Sequence, residues 1–232
     1  MKKAILLVCV AMSFGLNAQN NQELLKHYEA YYKQMKAQGD LQGVINGLTH
    51  LNILEPSDAR QDTLAYLYMN EGKYMQALNT IGIDLYATDS NIAVEIKAFS
   101  LKSLNQPKLA LKQFEELFRR TKDVTLTYEL AELYIQTDNL DEALKQVEFG
   151  LLRVEDKMKK TYYESQQPYQ VPLKAGLLYL KGLITFNKNK TKNIDAAVSY
   201  FEQALSIAPN FNLAYISITA LEGQREEVEI KE

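Results

Sequence analysis

The chain has 232 residues, 47% of them hydrophobic and 24% charged, which excludes disorder throughout and leaves ample apolar surface for a packed core. Its formal charge of −3, from 26 basic and 29 acidic side chains, excludes the basic face that general nucleic-acid binding requires. A single cysteine, Cys9, excludes internal disulfides and thiolate metal clusters.

The chain opens with Lys2 and Lys3, an apolar run from Ala4 to Leu16, and Asn17-Ala18 before the polar stretch Gln19 to Gln22. A charged start, a short apolar stretch and a small residue at its end read as a secretory signal peptide, residues 1–18, cut after Ala18. The apolar run of about 13 residues falls short of the roughly 20 that a membrane-spanning helix needs. Cys9 lies inside that run, with Val10, Ala11 and Met12 still to follow, and so is out of place for lipid attachment. Cleavage lowers the 26 basic residues to 24 against 29 acidic ones, a mature balance of −5.

Beyond the leader the sequence repeats. Ala77, Ala110 and Ala143 stand 33 residues apart, each followed by a leucine and, four residues on, by Ile81, Phe114 or Val147. Twelve residues upstream of each lies another alanine, at Ala65, Ala98 and Ala131, with Tyr68, Leu101 and Tyr134 three further on. The same phase runs upstream through Val44, Leu48 and Pro56, and downstream through Ala197, Phe201, Ala204, Leu205 and Pro209.

These residues resemble the tetratricopeptide repeat, whose pattern sets one small residue in helix A, another with an aromatic residue four later in helix B, and a proline near the end. The resemblance spans about 185 residues and implies an all-α fold, a right-handed α-solenoid of about five helix pairs. Repeats are assigned at about 25–57, 58–90, 91–123, 124–156 and 173–209, within a solenoid from 19 to 221. Two antiparallel helices approach closely where small side chains meet. Ala65 is therefore expected against Ala77, Ala98 against Ala110, Ala131 against Ala143 and Gly182 against Ala197. Helix breaks are expected at Gly39-Asp40, Glu71-Gly72, Asn105-Gln106-Pro107 and Asp138-Asn139.

Some positions depart from the pattern. Tryptophan is absent, Tyr32 and Val44 replace small residues in the first repeat and imply looser packing there, and Lys97 takes a usual leucine position. The last repeat carries extra residues in the run Asn187 to Asn193. Residues 157–172 are an insertion, expected to lengthen helix B of the fourth repeat and then turn, because Pro168 and Pro172 cannot sit inside a helix. A capping helix is expected over 212–221, followed by a charged tail, 222–232.

No constellation for catalysis stands out. His27 and His50 lie on different helices without a ligating neighbour, and no G-x-S-x-G, P-loop, G-x-G-x-x-G or H-E-x-x-H run occurs. No cofactor or metal is implied. Tyr28, Tyr31 and Tyr32 read as packing of the first helix pair, and Tyr162, Tyr163 and Tyr169 as pinning the insertion. The basic runs Lys157/Lys159/Lys160 and Lys188/Lys190/Lys192 read as solvated ends and leave peripheral membrane association open.

In this family helix A lines the concave surface, and the fifth, ninth and twelfth residues of each repeat face inward. The resemblance therefore names Asp62, Tyr66 and Met69; Glu95, Phe99 and Lys102; Tyr128, Glu132 and Ile135; and, counted back from Gly182, Tyr179, Leu183 and Phe186. Tyr66, Phe99 and Tyr128 are the expected aromatic anchors. Some members of the family clamp a C-terminal carboxylate with Lys and Asn at the fifth and ninth positions; this chain has Asp62 and Tyr66, then Glu95 and Phe99, which repel an acidic tail. The lining suits an extended or helical segment of another polypeptide with apolar side chains and a basic one.

The resulting expectation is a non-catalytic adaptor between proteins, exported to the periplasm. The start Met-Lys-Lys and the stretch Leu-Asn-Ala-Gln resemble those of Gram-negative envelope proteins, particularly of Bacteroidetes, where similar repeat proteins serve outer-membrane assembly and secretion. The alternative is a carbohydrate- or lipid-binding accessory protein, with a pocket under the 157–172 insertion. Protein recovered from the periplasm is expected to have the intact mass of a chain beginning at Gln19; a mass that retains residues 1–18, or a lipid adduct on Cys9, refutes export by cleavage.

Overall fold

A computed structural model describes residues 21–229, so the leader at 1–18 and the last three residues of the charged tail lie outside the described residues. Eleven helices and one hairpin follow in order. They are α1 (21–38), α2 (Leu41–Leu54), α3 (Asp58–Asn70), α4 (Tyr74–Ile81), α5 (Asn91–Ser103), α6 (Pro107–Thr121), α7 (Leu126–Gln136) and α8 (Leu140–Leu151). Then come β1 (Lys159–Tyr162), β2 (Tyr169–Pro172), α9 (Leu173–Lys188), α10 (Ile194–Ile207) and α11 (Asn212–Glu229). None of the described helices is long and apolar enough to cross a membrane. The chain divides into two compact lobes, up to Leu104 and from Asn105.

Each early helix pair turns at the position the sequence marks. Gly39, Gly72, Asn105 and Asp138, again 33 residues apart, all have positive φ, between 55° and 71°. A left-handed residue there lets the amide two residues past the helix return to its last turn. Asp40, Lys73 and Asn139 donate to the carbonyls of Met35, Tyr68 and Tyr134 at 3.0, 2.8 and 2.8 Å. Glycine adopts this conformation freely, and Asn and Asp are the side chains that tolerate it best.

The small residues meet as expected in two of the four crossings. Ala65 and Ala77 are wholly buried in one cluster of the N-terminal lobe, and Ala131 and Ala143 are wholly buried in the core of the C-terminal lobe. Ala98 and Ala110 are each fully buried. In the last repeat Gly182 faces the ring of Phe201, which a β-carbon at 182 would overlap, and Ala197 of the same helix α10 is wholly buried. In the first repeat the helices are close rather than loose. The space comes from Gly43 and Gly47 of α2, where a β-carbon at 47 would stand 3.1 Å from Cβ of Tyr32. The bulky residue on α1 is accommodated by glycine on its neighbour.

The insertion departs most from expectation. Helix α8 stops at Leu151, and residues 159–172 form an antiparallel hairpin pairing Lys159 with Pro172, Lys160 with Val171, Thr161 with Gln170 and Tyr162 with Tyr169. Threonine, tyrosine and valine fit a pleated strand better than a helix, and the two prolines bar helical continuation. Tyr162 and Val171, on the same face, are buried at 6% and 0% exposure. The capping helix α11 also outruns its expected end, because Gln224 to Glu229 are good helix formers and only Gly223 interrupts them. Arg225 reaches Asp195 of α10 at 3.4 Å.

Packing and propensity oppose each other at Gly182. Alanine there gains about 0.5–1 kcal/mol of helix propensity but overpacks Phe201, which costs about 1–3 kcal/mol. Gly182→Ala is thus expected to lower the melting temperature, whereas Gly223→Ala, with nothing within 4 Å of the added carbon, is expected to raise it. Thermal melts followed by circular dichroism read both, and a rise for Gly182→Ala overturns the close crossing.

Candidate functional site

In the N-terminal lobe α3 and α5 lie side by side, and between them opens a groove of about 640 Å³ lined by Ala59, Asp62, Thr63, Tyr66, Ser90, Ile92 and Glu95. Three residues expected from the register, Asp62, Tyr66 and Glu95, therefore come together in one place. Tyr66 is 45% exposed and Ile92 54% exposed, so both present apolar surface to the groove. A second trough of about 370 Å³ shares the wall formed by Ala59 and Thr63 and continues toward α1, where Glu29, Tyr32 and Lys33 line it.

The groove wall is held by a buried charge. Helix α4 has only eight residues and ends at Gly82, with φ of 81°, so the chain crosses to α5 by a long loop with polar backbone to satisfy. Lys97, fully buried, supplies the donor: its ammonium bonds the Asp84 carbonyl and the Asp89 carboxylate, each at 2.7 Å, and faces the Tyr86 ring at 5.3 Å. That explains a lysine at a usual leucine position. The loop delivers Ser90 as the cap of α5, accepting from Ala93 N–H at 2.9 Å. The Ser90 hydroxyl donates to Asp62 at 2.6 Å and ties the start of α5 to α3.

The other named residues are distributed differently. Met69 is half-buried against the Ala65–Ala77 cluster, and Phe99 and Lys102 are half-buried on α5. In the C-terminal lobe Glu132, Ile135, Tyr179, Leu183 and Phe186 are half-buried. Tyr128, expected as an open anchor, is only 2% exposed. The hairpin covers it: the hydroxyls of Tyr128 and Tyr162 share a hydrogen bond of 3.0 Å, and Lys160 lies over the Tyr128 ring at 4.5 Å and pairs with Glu129. Gly176 of α9 makes room, since a β-carbon there would stand 2.9 Å from the Tyr162 oxygen.

Tyr162 also stacks on Tyr169 and tilts against Phe211, with ring centroids 5.7 and 4.8 Å apart, while Tyr179 meets Phe211 at 5.2 Å. Beneath the insertion these rings pack against one another. Tyr163 points away and is 76% exposed. Tyr28 stacks on His50 at 4.2 Å, the packing role expected for the first tyrosines. Of the basic runs, Lys157, Lys160 and Lys188 pair with Glu155, Glu129 and Asp141. Among the described residues no group of three His, Cys, Asp or Glu side chains is arranged to hold a metal ion. Ile92 and Ser90 escape sequence reading because they stand at and just before the first turn of α5, outside the fifth, ninth and twelfth positions.

Residues 175–211, the last helix pair, match the tetratricopeptide repeat family. No curated protein matches the chain by sequence. Solved structures do. YrrB, described as a TPR protein with an unusual peptide-binding site, is 17% identical with a TM-score of 0.65, over 88% of this chain and 96% of that one. A MamA crystal structure is 19% identical with a TM-score of 0.59, over 80% and 92%. MamA from Desulfovibrio magneticus RS-1 is 15% identical with a TM-score of 0.60, over 82% and 97%.

Burial holds the Tyr128 hydroxyl well above its ordinary range near 10, with Tyr162 and Glu132 adding to the shift, and burial likewise raises Tyr162. A raised pKa means that the folded state keeps protons the unfolded state gives up. The stability is therefore complete below about pH 10 and is lost as pH climbs toward the folded values. Replacing both hydroxyls by hydrogen is expected to be nearly neutral at pH 7. The melting temperature of wild type should fall more steeply between about pH 9 and 11 than that of Tyr128→Phe/Tyr162→Phe; parallel curves count against the buried pair.

Proposed function

We propose that this chain, whose last helix pair matches the tetratricopeptide repeat and whose fold is that of solved repeat proteins, works as a non-catalytic scaffold whose α3–α5 groove holds an extended or helical segment of another polypeptide. The observation that carries this reading is the pairing of half-exposed Tyr66 and Ile92 on a rigid wall. Aromatic and aliphatic side chains that are already ordered before binding lose little entropy on contact, which is why such residues dominate interface energetics. The peptide-binding site described for YrrB is a precedent for this use of the fold.

The periplasmic location is part of the proposal and rests on the order of charged, apolar and small residues over 1–18. Service in an envelope complex, in outer-membrane assembly or secretion, rests on the same leader. The polypeptide reading is preferred to the carbohydrate or lipid alternative because Tyr162, one of the rings that alternative calls on, packs onto Tyr128 and Phe211.

The test has two stages. A partner is recovered from native envelope extract with wild-type bait, and its affinity is then measured for purified wild type and for Tyr66→Ala. A hot-spot ring is expected to cost about 2 kcal/mol on truncation, roughly 30-fold in affinity, with an unchanged melting temperature. Undiminished binding by the folded variant refutes the groove.

A further inference from the structure

The first repeat holds a pocket that the polypeptide reading does not use. Tyr28 and Tyr31 of α1, Asn46, Thr49 and His50 of α2 and Tyr68 of α3 line a cavity of about 340 Å³, within the range of roughly 300–1,000 Å³ that small-molecule sites occupy. Its rings are held by packing. Tyr28 lies flat on His50, with centroids 4.2 Å apart and planes at 12°, and Tyr31 sits against Gly47, its ring 3.3 Å from where a β-carbon would stand. The polar groups of the lining are largely uncommitted. Among the described residues the hydroxyls of Tyr28, Tyr31 and Tyr68 and the ring nitrogens of His50 have no hydrogen-bond partner in the protein. Gln42 bonds Oδ1 of Asn46 at 2.9 Å and leaves the amide N–H groups to donate. Thr49, which donates to the Ile45 carbonyl at 2.8 Å, keeps its oxygen as an acceptor.

We infer that this pocket binds a neutral saccharide unit, an activity separate from the α3–α5 groove. A sugar ring has C–H faces that pack on aromatic side chains and a rim of hydroxyls that both donate and accept, and this lining supplies partners for both. Other ligand classes fit it less well. No Asp, Glu, Lys or Arg lines the pocket, so an ionic ligand gives up its hydration there without a counter-charge. A purely apolar ligand covers the hydroxyls and the Asn46 amide and leaves them without partners. A quaternary ammonium gains from the tyrosine faces but forms no hydrogen bond with the polar groups beside them. Hydroxyls and an amide that the fold itself does not use, set among packed rings, are the combination that recognises a polyol.

Maltose and diacetylchitobiose are titrated into the full chain, with saturation-transfer NMR to detect contact and calorimetry to measure affinity. Saturation is expected at the sugar C–H protons of at least one of them. Tyr31→Phe and Asn46→Ala remove groups that hold no other element in place, so the double variant should keep the wild-type melting temperature and bind that sugar at least about tenfold more weakly. Tyr66→Ala, in the α3–α5 groove, should leave the sugar affinity unchanged, so failure of this inference and failure of the polypeptide reading are told apart. Co-sedimentation with insoluble cell-wall glycan, together with binding of diacetylchitobiose, supports the site with the wall as its source; sugar binding without co-sedimentation supports it with a free saccharide. No saturation transfer to either sugar, equal affinity for wild type and the folded double variant, or tighter binding of choline than of both sugars overturns the inference.

Discussion

Helices in this chain come together where one of the meeting residues carries no side chain or a single methyl group, and the architecture depends on that constraint. The small residue need not keep its helix. In the second and fourth repeats alanines stand on both partners, in the first the glycines of α2 admit Met35, Tyr31 and Tyr32 of α1, and in the last Gly182 admits Phe201. What recurs is a small residue on at least one partner, because a packed interior has no room for an added methylene. Left-handed residues at 33-residue intervals keep each early chain reversal at the same place, so that the crossings recur in phase.

Within that regularity the N-terminal lobe carries one irregular wall, and its groove depends on it. A short α4 leaves a loop whose carbonyl and carboxylate converge on Lys97, and a buried ammonium with two oxygen partners and an aromatic face is a strong constraint on where the loop can run. The loop ends at Ser90, whose hydroxyl bridges the cap of α5 and Asp62 of α3. Tyr66 and Ile92 are exposed on a surface that is already fixed, the condition under which apolar contact converts most fully into affinity.

The C-terminal lobe treats the corresponding helix faces in the opposite way. The β1–β2 hairpin lays Lys160, Tyr162 and Val171 inward, and Tyr162 takes up Tyr128 by a hydrogen bond and ring contact. An aromatic residue at a groove position is thereby consumed by the protein's own chain. Equivalent positions in one repeat array can serve a partner or the core, according to what the intervening sequence places over them.

The period of 33, the crossings at Ala65/Ala77 and Ala131/Ala143, the four turns and the set Asp62, Tyr66 and Glu95 were all legible in the sequence. Each is a consequence of short-range geometry, helical spacing and backbone conformation, that recurs in every repeat. The hairpin, the burial of Tyr128, the role of Lys97 and the contribution of Ile92 were decided by tertiary structure alone. Each depends on a contact between residues without a repeating relation in the sequence, as Tyr162 has none to Tyr128, nor Lys97 to Asp84. A periodic pattern reports which side of its helix a residue occupies; whether solvent, a loop or a strand lies on that side is set by chain that the pattern does not include.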